Sequence, residues 1–355
     1  MNIQELFEKA IISNASDIHL IAGLPPTIRV DGKLTALSIY PPLLNEDIET
    51  MVFSIITPEQ KEMLLTNRAI DLSYGFGGGN YGDKGRFRIN LYFQRNTIGG
   101  AFRLLPAKVK TIEDLKLPQV CHVFTKLKQG FVLVCGPTGH GKSTTIASII
   151  NEVNMTQAAN IVTIEDPIEY VYPAGRSIIS QREIGSDTLS WSESLKSVLR
   201  EDPDVIMIGE MRDTESIASA ITMAETGHLV FSTLHTNSAA QTIDRIIDSF
   251  PEKQQNQIRA QLSGSLGGVI SQRLLPKIDG GRIVACEVMI ATNAIKSNIR
   301  EGKTHLIDSI IETSQDIGMI PLEASLAALV KEGILTLEVA RAFVLRPESF
   351  AQLIS

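Results

Sequence analysis

The rhythm of apolar and polar positions changes near residue 105, and the change divides the chain. Before it, short alternating stretches dominate. Leu6, Ala10 and Ile11 recur at helical spacing and predict a first helix; Asp17 to Ile21 alternates and predicts a strand. Pro25-Pro26 interrupts it. Thr27 to Val30, then Asp31-Gly32 and Lys33-Leu34, predict a hairpin turning at Asp-Gly. Asn45 and Thr57 each suit a helix N-cap, and Pro58 stands where a first helical residue would. Arg86 to Gln94 alternates cleanly: Phe87, Ile89, Leu91 and Phe93 share one face, and Arg86, Arg88, Asn90, Tyr92 and Gln94 the other. Arg103 falls on the returning strand. These features predict a small α+β domain over residues 1–105.

Residues 106–112 read as a linker, after which Thr111-x-x-Asp114 has the form of a capping box opening a second domain over 113–355. Here the apolar residues come in short unbroken runs, each followed by a helical period, the pattern of an α/β sheet buried on both faces. The predicted strands are Phe131–Val134, Ile161–Glu165, Val205–Ile208, His228–Leu234 and Ile283–Met289. The predicted helices include Thr144–Val153, Leu189–Arg200 with Trp191, Leu195, Val198 and Leu199 on one face, and Thr214–Glu225 closed by Gly227. Another starts at the Ser238-x-x-Gln241 box and carries Ile243, Ile246, Ile247 and Phe250. From about Ala294 the tail is helical, and its stripe of Leu322, Leu326, Leu329 and Val330 reads as core.

One of these strand–helix junctions carries chemistry. Gly136-Pro137-Thr138-Gly139-His140-Gly141-Lys142-Ser143 fits the phosphate-binding loop G-x-x-x-x-G-K-[ST], with a strand before it and a helix opening at Thr144. The glycines let backbone N–H groups turn inward to phosphate oxygens, and the helix N-terminus adds partial positive charge. Lys142 would reach the β- and γ-phosphates of ATP and the Ser143 hydroxyl would ligate Mg²⁺. A glycine-rich turn that binds nothing would not need these flanks.

Such a loop needs acids to hold the metal and to orient water. Two predicted strands end in them. Asp204 to Ile208 leads to Gly209-Glu210, which puts a glutamate where water would be oriented and a glycine where a metal-holding aspartate is more usual. Glu165-Asp166 fills that gap, with Asp166 reaching the metal directly or through water. His228 and His235 bracket one strand at a spacing of seven, which puts them on opposite faces and does not support a shared zinc. His235 is placed to sense a γ-phosphate; for His228 a phosphate contact and a structural hydrogen bond remain open. The arginines Arg86, Arg88 and Arg103 form either a solvated strand face or a phosphate contribution from outside the loop domain.

Composition narrows the setting. The chain has 355 residues, enough for about two domains, and 43% hydrophobic residues. No apolar run approaches the 18 or so residues of a membrane span, and no signal peptide is expected from the first residues. Three scattered cysteines, Cys121, Cys135 and Cys286, suit a reducing cytoplasm and form no zinc or disulfide framework. The net charge of −7 disfavours direct nucleic-acid contact.

The loop, Thr163 to Tyr170, Asp202 to Asp213, and Thr226-Gly227-His228 through His235-Thr236-Asn237 together resemble the secretion-superfamily ATPases. Ser16-Asp17-Ile18-His19-Leu20 and Gln181-Arg182-Glu183 extend the resemblance nearly end to end, and the chain is most similar to the type IV pilus retraction ATPases of the PilT/PilU type. The resemblance implies a PAS-like N-terminal domain, a RecA-like ATPase domain, and ATP bound between them with Thr144 among the loop contacts and Arg86, Arg88 and Arg103 as the arginine contributors. It implies a homo-hexamer working at the cytoplasmic face of the inner membrane on a pilus platform protein, with a paralogous retraction ATPase as a further partner. The assembly ATPases of the superfamily usually carry an extra N-terminal domain and a four-cysteine zinc site, and neither is expected here. His140 stands where serine or threonine is usual and is expected to matter little. Ala294 to Arg300 departs from the Ala-Ile-Arg-Asn-Leu retraction motif, which keeps an accessory, weakly hydrolysing paralogue in play beside an assembly or DNA-uptake ATPase.

Overall fold

The computed structural model describes residues 2–30, 32–77, 84–105 and 108–354. The chain forms two compact units, one of Met1–Lys108 with Pro167–Val171 and one of Val109–Asp166 with Tyr172–Ser355. Asp31 of the expected hairpin turn and Pro106 and Ala107 of the expected linker lie outside the described residues.

In the first unit the strands are β1 (Asp17–Leu20), β2 (Thr27–Val30), β3 (Lys33–Ala36), β4 (Ala69–Phe76), β5 (Gly85–Gln94) and β6 (Thr97–Leu105). They make a sheet in the order β3-β2-β1-β6-β5-β4, antiparallel throughout. The alternation of β5 decides its faces. Phe87, Ile89 and Leu91 are fully buried, and Phe87 stacks on Phe7 of the Ile3–Ile12 helix with ring centroids 4.2 Å apart. Phe93, at the strand's end, is only partly buried and carries the Arg68 guanidinium over its ring. On the other face, register aligns Arg29, Asp17, Arg103, Arg88 and Ser73 in one row across β2, β1, β6, β5 and β4.

Thr57 caps its helix as expected, its hydroxyl and the Gln60 amide exchanging bonds with each other's backbone N–H. Asn45 does not cap. Leu44 holds the cap position, its N–H bonded to Asp47, because the Asn45 side chain is drawn to Ile98 N–H and Glu49.

The second unit contains β7 (Gly130–Cys135), β8 (Asn160–Glu165), β9 (Ile178–Glu183), β10 (Val205–Ile208), β11 (Leu229–Leu234), β12 (Leu266–Pro276) and β13 (Arg282–Ile290). The order is β13-β12-β7-β11-β10-β8-β9, parallel except for the β12–β13 pair. Every residue of β7, β10 and β11 is buried, as apolar runs sandwiched between helix layers require. Ile146, Ile149, Ile150 and Val153 of the Lys142–Thr156 helix belong to one core cluster; Leu195, Ile217, Ile221 and Ile243 from other helices belong to a second. Leu322 and Leu326 of the tail pack with Leu275, Ile283 and Ala285.

Two further expectations need correction, and two strands were not anticipated. The helix expected over Leu189–Arg200 is Trp191–Val198, with Leu189 84% exposed and Leu199 turned outward at its end. The Thr111–Asp114 box forms both reciprocal bonds yet closes only a turn, because Leu117 N–H folds back to Ile112 and the helix does not propagate. β9 and β12 were not anticipated: β9 is a polar edge strand, and β12 runs straight on from the Glu252–Ser265 helix.

Candidate active site

The sheet order makes β7, β11, β10 and β8 neighbours, all parallel, so their carboxyl ends lie along one edge. Ligands of open α/β sheets bind at that edge. The loop Gly136–Ser143 follows β7 there, His235 follows β11, Gly209-Glu210 follows β10, and Glu165-Asp166 closes β8.

Three loop glycines have positive φ: 146° at Gly136, 79° at Gly139 and 83° at Gly141. At Gly136 the requirement is double, since a Cβ there would stand 2.5 Å from the Gln272 carbonyl oxygen. Lys142 is buried, and its Nζ donates to the Gly136 and Pro137 carbonyls at 2.8 and 3.1 Å. The ammonium thus folds across the loop, where an anionic phosphate oxygen would be the stronger acceptor. Ser143 and Thr144 sit in the first turn of the Lys142–Thr156 helix, and the Ser143 hydroxyl is exposed.

His235 joins the loop to the acid after β10. Its Nδ1 lies 3.2 Å from Thr138 Oγ1 and 3.4 Å from Lys142 Nζ; its Nε2 lies 3.1 Å from Glu210 Oε1. An ammonium can only donate, so Nδ1 accepts and Nε2–H is left to donate to Glu210. Glu210 also accepts from Arg212 at 3.0 Å; this bond and the Glu210 charge raise the Arg212 guanidinium above its ordinary value, with a smaller contribution from Asp166. Glu165 is buried and takes bonds from Thr163 Oγ1 at 2.7 Å and Gln181 Nε2 at 3.2 Å, while its neighbour Asp166 is exposed.

These donors are hydroxyl and carboxylate oxygens. That is the chemistry of Mg²⁺, which takes one or two protein oxygens and completes its shell with phosphate and water. Ser143 and Asp166 are the residues that would hold it.

His228 is not brought to this edge. It precedes β11 at the amino end, its Nδ1 set against the Met223 carbonyl at 2.9 Å and Thr226 Oγ1 at 3.2 Å. The six-residue strand between the two histidines spans about 20 Å.

In the first unit, Arg88 stands directly opposite Arg103 on β6 and Ser73 on β4. Arg103 Nε is tied to Asp17 at 3.0 Å, and Arg86 donates to the Ser73 hydroxyl. Burial raises the Asp17 carboxyl, but bonds from Ser16 and Arg103 outweigh it and hold the group below its ordinary range. The Arg88 side chain makes no hydrogen bond or ion pair among the described residues.

His140, expected to matter little, is engaged. Its Nδ1 accepts the Leu274 N–H at 3.1 Å, its carbonyl accepts from Gln272 Nε2 at 2.6 Å, and its ring lies 6.2 Å from that of Phe343. Gln272 and Leu274 escaped the sequence reading because β12 did. The apolar run Val269-Ile270 before Ser271-Gln272 was the available signal.

Residues 109–324 match the family model described as type II/IV secretion system protein. The chain is 45% identical, over 99% of its length and 100% of the relative's, to a Pseudomonas aeruginosa protein named type IV pilus retraction ATPase PilT. It is 35% identical, over 96% of its length and 88% of the relative's, to the type IV pilus ATPase PilU of the same organism. Its fold matches a crystal structure titled as the pilus retraction motor PilT with bound ADP, at a TM-score of 0.92, 45% identity and 99% coverage of both chains.

Proposed function

The chain belongs to the type II/IV secretion system protein family, and we propose that it is a pilus-retraction motor of that family, an ATP hydrolase driving pilus disassembly and twitching motility. The observation that carries this is His235, bonded to Glu210 on one side and to Thr138 and Lys142 on the other. A histidine so placed links the residue that would orient water to the loop that would hold the phosphates.

The nucleotide phosphates enter the loop, and Lys142 leaves the Gly136 and Pro137 carbonyls for them. Glu210, aimed by His235 and Arg212, orients the attacking water. Loss of the γ-phosphate changes what Thr138 and Lys142 contact, and His235 passes that change to the strand end carrying Glu210. Mg²⁺ held by Ser143 and Asp166 would neutralise charge on the β- and γ-oxygens. Six chains form a ring, in which Arg88 of one subunit, with Arg86 and Arg103 on the same sheet face, completes the site of another. The ring works at the cytoplasmic face of the inner membrane on a pilus platform protein, alongside a paralogous ATPase.

Two measurements test this. The purified chain should release phosphate from ATP in steady state, and cells lacking its gene should over-display pili and stop moving on surfaces. An accessory role predicts little phosphate release from the chain alone; an assembly role predicts bald cells.

A further inference from the structure

The phosphate loop leaves the sheet at Cys135, and the ladder between β7 and β12 ends there, at the Ser271–Cys135 pair. β12 continues without that neighbour. The next backbone donor on this side, the half-buried Leu274 N–H, has no strand to pair with. His140 Nδ1 supplies the acceptor at 3.1 Å. One peptide away, Gln272, fully buried, donates its side-chain amide to the His140 carbonyl at 2.6 Å. The 140–141 peptide is planar and trans, so a carbonyl turned onto Gln272 turns the Gly141 N–H to the opposite side. In a phosphate-binding loop that N–H is one of the groups that meet the anion.

We propose that His140 is a positioning residue for nucleotide binding: its ring anchors the loop sideways on β12 and, with Gln272, fixes the 140–141 peptide so that the Gly141 N–H faces the phosphates. The proposal rests on the nucleotide-binding reading above and adds to it a residue from the loop position where a small hydroxyl is usual. A serine Oγ sits one bond closer to the backbone than Nδ1 and does not replace it. An asparagine Oδ1 is the same number of bonds out and is an acceptor.

The surroundings of the ring keep it in the accepting form. Burial first, then the charges of Arg273 on β12, Lys142 at the helix start and Arg282 on β13, lower His140 below its ordinary value. Phe343 lies beside the ring. Protonation would place an N–H at Nδ1 against the Leu274 N–H, and the anchor would be lost.

The test is titration of a fluorescent ADP analogue with Mg²⁺ into the full chain between pH 5 and 8, for wild type, His140→Ser and His140→Asn, with Lys142→Ala as the control for specific binding. At pH 8, His140→Ser should bind roughly five- to tenfold more weakly, the worth of about one hydrogen bond, and His140→Asn should recover most of that. On acidification wild type should lose affinity through a step that both variants lack; titrations common to all three cancel in the comparison. Wild-type affinity in His140→Ser at pH 8, or the same acid step in all three proteins, overturns the proposal. A lowered melting temperature in His140→Ser with unchanged affinity also overturns it, since that is a structural role alone. Failure of wild type itself to bind above the Lys142→Ala control refutes the nucleotide reading instead, separating the two ideas.

Discussion

At the scale of the residue, the site is a short chain of contacts in which each member has one replaceable property. Lys142 contributes charge held inside the loop by two carbonyls. Lys142→Ala should abolish nucleotide-dependent activity, checked by phosphate release; turnover near wild type would remove the loop from the mechanism. Glu210 contributes an acceptor held between His235 and Arg212. Glu210→Gln retains the shape and loses the charge, so it should keep ATP binding while hydrolysis falls by about 10²-fold or more. Equilibrium binding alongside single-turnover hydrolysis separates the two effects, and weakened binding with intact hydrolysis per bound ATP would reject the role.

At the scale of the element, β5 would join stability to the proposed function by the period of a strand. Phe87 faces in and stacks on Phe7, while Arg86 and Arg88, one residue to either side, face out. A guanidinium carried on a strand so held can be aimed with little further loss of side-chain freedom. Arg103 and Arg86 are already engaged, by Asp17 and Ser73, and Arg88 is not engaged among the described residues. Arg88→Ala should therefore lower turnover by about 10³-fold or more, the worth of an arginine supplied to phosphoryl transfer, while the melting temperature changes little. Arg88→Lys should rescue poorly because it lacks the planar fork. A drop in melting temperature matching the loss of activity would return Arg88 to an ordinary surface role.

At the scale of the whole molecule, two features depend on parts distant in sequence. The first is the proposed ring. Mixing Arg88→Ala chains with Glu210→Gln chains should partly restore hydrolysis if the arginine acts across subunits, since some mixed sites then receive both intact groups; no restoration would confine Arg88 to its own chain. The second is a buried acid cluster. Glu287 on β13 accepts the Ala239 N–H at 2.7 Å, at the start of the Ala239–Asp248 helix that follows His235 by a short loop. Arg346 reaches Glu323 at 2.7 Å, Glu287 and Glu312 at 3.4 Å and Asp308 at 3.8 Å. One cation thus gathers four carboxylates from a strand and two tail helices. Burial pushes Glu287 from its ordinary 4.5 up to about 7, against the opposing pull of the Ala239 N–H and Arg346, and it also raises Asp308. A carboxyl raised by folding binds its proton more tightly in the native state. Its contribution is present below about pH 4.5 and is lost as pH rises toward about 7. Glu287→Gln keeps an acceptor for Ala239 and leaves Arg346 with Glu323. Its thermal unfolding midpoint should fall less than that of wild type between pH 5 and 7.5; parallel curves would show that Glu287 does not titrate in this range.

The sequence alone determined what rests on local order. The phosphate loop, the buried runs of β7, β10 and β11, the Thr57 cap and the in-and-out faces of β5 were legible because neighbouring residues set turn chemistry and periodicity. Glu210 and His235 were legible as acids and bases at strand ends. The tertiary structure decided what rests on which strands lie side by side. The order β12-β7-β11-β10-β8 brings His235 between Lys142 and Glu210 and leaves His228 at the far end of the same strand. It also sets Gln272 and Leu274 against His140 across more than a hundred residues of chain. Asn45 was lost to a strand more than fifty residues away, and the Arg346 cluster unites charges that look like scattered surface positions. The physical reason is common to all of these. A hydrogen bond or ion pair in a fold depends on distance in space, and a sequence pattern carries that distance only over the few residues of one turn or one strand.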